Sequence, residues 1–116
     1  MNVPRIESYR FGNLVVDGQS HQRDVIILPW QVLGGWWRTE GHALHPEDLE
    51  AVFEAAPDLL VVGQGANGLM QVTAETSLAL EAAGIELVAQ PTEEACQTYN
   101  RQCERRSVAA ALHLTC

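Results

Sequence analysis

Apolar positions along this chain fall into short unbroken runs separated by helical stripes. The run Leu59-Leu60-Val61-Val62 has no polar break. It is entered from Asp58 and left through Gly63, Gln64, Gly65, Ala66, Asn67 and Gly68. A short apolar run bounded by turn residues is the pattern of a strand buried on both faces. Ahead of it, Pro46 suits a first helical position, Glu47 and Asp48 suit the positive end of a helix dipole, and Pro57 is a stop. Leu49, Val52, Phe53 and Ala56 then follow helical spacing and form the expected buried stripe. Beyond the run, Thr73 is placed to cap a second helix ending at Gly84, and residues 85–89 read as a strand. Pro91 and Thr92, with Glu93 and Glu94, open a third helix that closes on Arg101, Arg105 and Arg106. Residues 108–114 form the last strand.

The amino-terminal part reads differently. Residues 11–16 predict a strand, Asp17-Gly18 a type I′ turn and residues 19–22 the returning strand. Val25 to Leu28 is a second buried run, stopped by Pro29. Residues 30–44 are less regular and predict only short extended pieces. Strands joined through helices are parallel neighbours with right-handed crossovers. The fold expected is therefore α/β, a mixed sheet with a parallel βαβ core and an N-terminal antiparallel hairpin supplying edge strands. It forms one domain over residues 1–116.

Charge and cysteine content narrow the classes. Seven basic against fifteen acidic residues give a formal charge of −8, which argues against binding a nucleic-acid backbone. No apolar stretch reaches the roughly 18 residues of a membrane helix, and residues 1–10 hold no apolar signal segment. Cys96 and Cys103 would lie about 10 Å apart along one helix, too far to bridge. Together with Cys116 they make three cysteines, expected to be reduced thiols in the cytoplasm.

The loop 63–68 carries the spacing G-x-G-x-x-G after a predicted strand, which on spacing alone is a dinucleotide fingerprint. Four residues, Leu69 to Val72, intervene before the next helix, so no helix start faces a pyrophosphate. Gln90 stands where the ribose-binding acid belongs. A phosphate-binding P-loop fails as well, since Leu69 and Met70 replace the Lys and Ser/Thr it requires. Two readings remain: the glycines let the loop turn tightly over a strand end, or Gly63, Gln64, Gly65, Asn67 and Gly68, with Thr92 at the start of the third helix, hold a carboxylate or phosphate weakly. The anion affinity would be of order millimolar, about 4 kcal/mol.

Cys96 lies in the first turns of the third helix, where a dipole lowers a thiol pKa. It also shares a stripe with Tyr99 and Cys103, which fits core packing, and the four histidines are distant in sequence. His42 and His45 have the spacing of a metal pair, but no completing ligands are evident and no metal is expected. Trp30, Trp36 and Trp37 form a candidate interaction surface or a cover for a sheet edge.

Several of these stretches resemble the Mth-type domain family. They are Val61-Val62-Gly63-Gln64-Gly65, then Ala83-Gly84-Ile85-Glu86, then Thr92-Glu93-Glu94-Ala95-Cys96-Gln97-Thr98-Tyr99-Asn100, and Arg105-Arg106 followed by Val108-Ala109-Ala110-Ala111-Leu112. The likeness reaches back to Val16-Asp17-Gly18 and Ile27-Leu28-Pro29. The family includes an adipogenesis-associated domain protein and a mitochondrial assembly factor of respiratory complex I. The resemblance implies a three-layer α/β arrangement with a mixed sheet, no established catalysis, no cofactor, and a protein partner in the mitochondrial branch. The chain departs from the family in having Gln64 where threonine is usual and in lacking a proline before the second helix.

Two functions follow as expectations. The first is a non-enzymatic interaction or assembly module with an unknown protein partner, a homo-oligomer being left open. The alternative is a small-molecule or anion site at loop 63–68.

Overall fold

A five-stranded mixed sheet forms the middle of the computed structural model, which describes residues 3–116; the first two residues of the expected 1–116 domain lie outside it. The chain runs through β1 (Ile6–Arg10), β2 (Asn13–Val16), β3 (Gln19–His21), β4 (Val25–Leu28), β5 (Gln31–Gly34) and β6 (Ala43–Leu44). A 3-10 turn (Pro46–Leu49) leads into α1 (Glu50–Ala55), followed by β7 (Leu59–Gln64), β8 (Gln71–Val72) and α2 (Ala74–Ala82). The remaining elements are β9 (Glu86–Gln90), α3 (Thr92–Gln102) and β10 (Val108–His113). The central order is β5-β4-β10-β7-β9. Strands β10, β7 and β9 are parallel, while β4 and β5 join antiparallel.

Side chains alternate across a strand, so the apolar runs fill both faces of this sheet. Val25, Ile27, Leu59, Val61, Val108, Ala110 and Leu112 point toward Ala95, Cys96 and Tyr99 of α3 and Leu14 and Val16 of β2. Ile26, Leu28, Leu60, Val62, Ala109 and Ala111 point toward Leu49 of the 3-10 turn, Val52 of α1 and Leu80 of α2. Leu59 to Val62 are all buried, each side chain contributing about 1.5–3 kcal/mol of gross transfer free energy. The fold is a three-layer α/β arrangement. Helix α2 connects β7 to β9 on one face and α3 connects β9 to β10 on the other, as right-handed crossovers leaving in opposite directions require.

Some local expectations are corrected. The strand read over residues 11–16 starts only at Asn13, because exposed Phe11 and Gly12 (φ +77°) form a turn from an unforeseen strand, β1. The hairpin turn itself is as expected, with positive φ at both Asp17 and Gly18. The N-terminal strands do not edge the central sheet. They form a separate sheet, β1-β2-β3, tied to α3 through Asn100, which bonds both the Ile6 amide (3.0 Å) and carbonyl (2.7 Å). The first helix ends a residue early: Ala56 turns left-handed (φ 48°) and is exposed rather than part of the buried stripe. Helix α3 stops at Gln102, so Arg105 and Arg106 lie beyond it, and Arg106 pairs instead with Glu86 at 3.1 Å. Residues 71–72, read as a loop, are β8, parallel to β6.

Candidate functional site

Loop 63–68 and the start of α3 do come together at the carboxyl end of β7, but each consumes the other's polar groups. Thr92 is buried; its hydroxyl accepts from the Gly65 amide (2.9 Å) and donates to the His113 carbonyl (2.6 Å). The Thr92 amide in turn donates to the Gly65 carbonyl at 3.1 Å. The amides of Ala66, Gly68 and Met70 go to the carbonyls of Thr115, Gly65 and Gln64. The Gln64 side-chain amide donates to the Met70 carbonyl at 3.0 Å, and Asn67 is exposed. The glycines answer to packing. A Cβ on Gly63 would lie 2.9 Å from both Leu112 and Thr92, and one on Gly65 (φ +95°) would lie 2.5 Å from the Cys116 carbonyl oxygen. With these amides spent inside the protein, the loop is a clamp between β7, α3 and the chain after β10.

The tryptophans are not gathered into one patch. Trp30 follows β4 in the turn to β5, whereas Trp36 lies at the far end of β5, its amide bonded to Asp24 just before β4. At about 3.3 Å per residue the four residues of β5 hold them apart. Trp36 is half-buried, donates its indole N–H to the Asp48 carbonyl (2.9 Å) and lies under Arg38, 4.7 Å from ring centre to guanidinium carbon. Trp30 and Trp37 are 46% and 78% exposed at opposite ends of the β4–β5 hairpin.

The structure also assembles a polar cluster that no sequence spacing signals. Register does it: Leu112 pairs with Val25, Val25 with Gly34, and His113 with Gln64. Asp24, Arg38, His113 and the glycine loop therefore meet at one end of the sheet. Asp24 Oδ2 lies 2.7 Å from Arg38 Nη1 and 2.8 Å from His113 Nδ1, while Oδ1 accepts from the Leu114 amide at 2.8 Å. Arg38 Nη2 donates to the Gly41 carbonyl (3.0 Å) and sits 3.2 Å from His113 Nδ1. Burial alone would raise the Asp24 carboxyl, but the hydrogen bonds from His113, Leu114 and Arg38 outweigh it and hold its pKa below the usual range. The cluster extends outward. His42 meets the His113 ring edge-on at 6.3 Å between centres, and His42 Nε2 lies 3.8 Å from Cys116 Sγ.

The other candidates separate from it. His45 turns away from His42 to pair with Glu40 at 2.7 Å, which raises its pKa, so the two do not act as a metal pair. Cys96 and Cys103 are buried and free. Burial first, then the nearby Glu93, pushes the Cys96 thiol up to about 12, opposite to a dipole-activated nucleophile. It lines a shallow cavity of about 210 Å³ between β1 and α3 that also holds Tyr9, Glu93 and Asn100.

Residues 6–113 match the family of proteins of unknown function designated DUF498/DUF598. The chain belongs to this family. The conserved hypothetical protein PH1505 of Pyrococcus horikoshii OT3 is 28% identical, with 97% of this chain and 99% of that one covered at a TM-score of 0.83. Rpa2829 of Rhodopseudomonas palustris is 34% identical over 93% of this chain and 81% of its own, at 0.75. A Bordetella pertussis protein described as an Mth938-like domain is 21% identical over 96% of this chain and 85% of its own, at 0.70, and shares the fold. The resemblance read from the sequence is thus that of an Mth938-like domain. Among the described residues no helix is long and apolar enough to cross a membrane.

Proposed function

We propose that the whole chain acts as one protein-interaction module that takes up an extended segment of another polypeptide along β5, as an assembly factor would hold its client. The observation that carries this reading is the edge itself. Strand β5 is the last strand on its side of the sheet, and its sequence Gln31-Val32-Leu33-Gly34 has no charge and no proline. Edge strands are normally blunted by such residues, because bare backbone groups invite pairing. Here exposed tryptophans flank the edge instead, Trp30 at one end and Trp37 at the other. Main-chain pairing would supply affinity, and the two indoles would supply contact area and choice of partner. The acidic surface, at −8 formal charge, favours a basic client segment. Clamping of the glycine loop by Thr92 and Thr115 weighs against the alternative anion site there.

The test compares capture of a partner from the native cell by the wild-type chain and by a Trp30→Ala/Trp37→Ala/Gln31→Lys variant. All three positions are exposed, so the fold is retained. The reading expects the captured partner to be lost, each tryptophan being worth about 2 kcal/mol or more if it is a hot spot. Equal capture contradicts it. Concentration-dependent self-association abolished by the same changes would identify the client as a second copy of the chain.

A further inference from the structure

We infer that His42, His113 and Cys116 form a binding site for a divalent transition metal of the zinc class, with one coordination position left open. One ligand atom from each of the three lies within 4.8 Å of the other two. At a tetrahedral zinc centre, bonds of about 2.0–2.1 Å to nitrogen and 2.3 Å to sulfur place S and N roughly 3.5 Å apart. Cys116 Sγ and His42 Nε2 stand at 3.8 Å, within a few tenths of an ångström of that spacing, and side-chain adjustment on the order of 1 Å brings in the third ligand from within 4.8 Å.

A second observation points to a ligand independently of that proximity. The His113 side chain is only 9% exposed, and its Nε2 is buried without a hydrogen-bond partner among the described residues. Leaving such a nitrogen unmatched is unfavourable, and a bound cation relieves it. Its other nitrogen is committed. Asp24 Oδ2 lies 2.8 Å from His113 Nδ1 and a carboxylate oxygen accepts, so Nδ1 is the nitrogen that carries the proton. That fixes the tautomer in which Nε2 carries the free lone pair. Carboxylate–histidine–metal chains have this construction, the carboxylate orienting the ring and raising its basicity. Arg38, which bonds both Asp24 and the Gly41 carbonyl, holds the chain that leads to His42. The donor set of two imidazoles and a thiolate suits zinc over calcium or magnesium, which take oxygen ligands. Three protein ligands with an open fourth position mark a site able to accept a water or a substrate group rather than a closed structural one.

Cobalt(II) titrated into the metal-free, reduced protein tests this. The inference expects one equivalent to bind, with tetrahedral visible bands and a thiolate-to-cobalt charge-transfer band in the near ultraviolet. Zinc should displace it and should also protect Cys116 from alkylation. Cys116→Ser should abolish the charge-transfer band, and Cys116→Ser and His42→Ala should each weaken binding by on the order of 100-fold. Both residues lie at or near the surface, so these variants keep the fold. Asp24→Asn should weaken binding about 10–100-fold through ring orientation alone, the charge-transfer band remaining. Absence of the charge-transfer band in the wild type, or equal affinity in Cys116→Ser or His42→Ala, overturns the site. So does alkylation of Cys116 at a rate zinc does not change, the behaviour of a free nucleophile beside His42.

Discussion

Thr92 is the residue on which the glycine loop depends. Its hydroxyl satisfies the Gly65 amide and the His113 carbonyl at once, both in a buried setting. Thr92→Val keeps the shape and removes both bonds, each orphaned group costing about 1–3 kcal/mol, so a loss of at least about 2 kcal/mol is expected in urea unfolding, while Thr92→Ser stays near wild type. An unchanged midpoint would show that the clamp is not structural. Thiol chemistry separates the cysteines in the same way. Burial of Cys96 and Cys103 raises both pKa values, so iodoacetamide at neutral pH, with a chelator present, should modify Cys116 first. Rapid labelling of Cys96 in the folded protein would contradict this. The burial of Cys96 was legible in the sequence from its stripe with Tyr99. The meeting of Asp24 with His113 was not, because those residues are 89 positions apart and only strand register joins them.

Elements were legible wherever local chemistry and burial agreed. The strand β7, the Thr73 cap of α2 and its closing Gly84 (φ +74°) all follow from short-range pattern. Strand β1 escaped because Ile6-Glu7-Ser8-Tyr9-Arg10 is mostly exposed, its register shifted between Ile6 and Ser8. The pair β6–β8 escaped because two residues a side carry no periodicity. The ends of β4, β5 and β10 are held together through Asp24, whose pKa is lower folded than unfolded. Its stabilisation is therefore full above the unfolded value of about 3.9 and is lost as pH falls through the folded value. Asp24→Asn should flatten this acid limb of the stability curve. At neutral pH it should cost about 3–5 kcal/mol, as expected when Arg38 is left buried without its counter-charge. An acid limb of unchanged slope in the variant would remove Asp24 from that role.

In the whole molecule, both faces of the central sheet are covered, one by α1 and α2, the other by α3 and the N-terminal sheet. Of the sheet's two edge strands, β5 and β9, β5 has exposed Trp30 and Trp37 at its ends, and the polar cluster of Asp24, Arg38, His42, His113 and Cys116 lies beyond the amino end of β4. The glycine loop, the most conspicuous sequence feature, lies between core elements and spends the amides of Gly65, Ala66, Gly68 and Met70 internally. Glycine spacing alone does not distinguish a cradle for a ligand from a close approach of two backbones. The contact of Gly65 with Cys116 is of the latter kind.

Hydrogen exchange of the chain, free and with its captured partner, tests the interaction reading most directly. It predicts that amides of β5 (Gln31–Gly34) gain protection in the complex while those of loop 63–68 do not change. Protection appearing over loop 63–68 and the start of α3, with β5 unaltered, would contradict it.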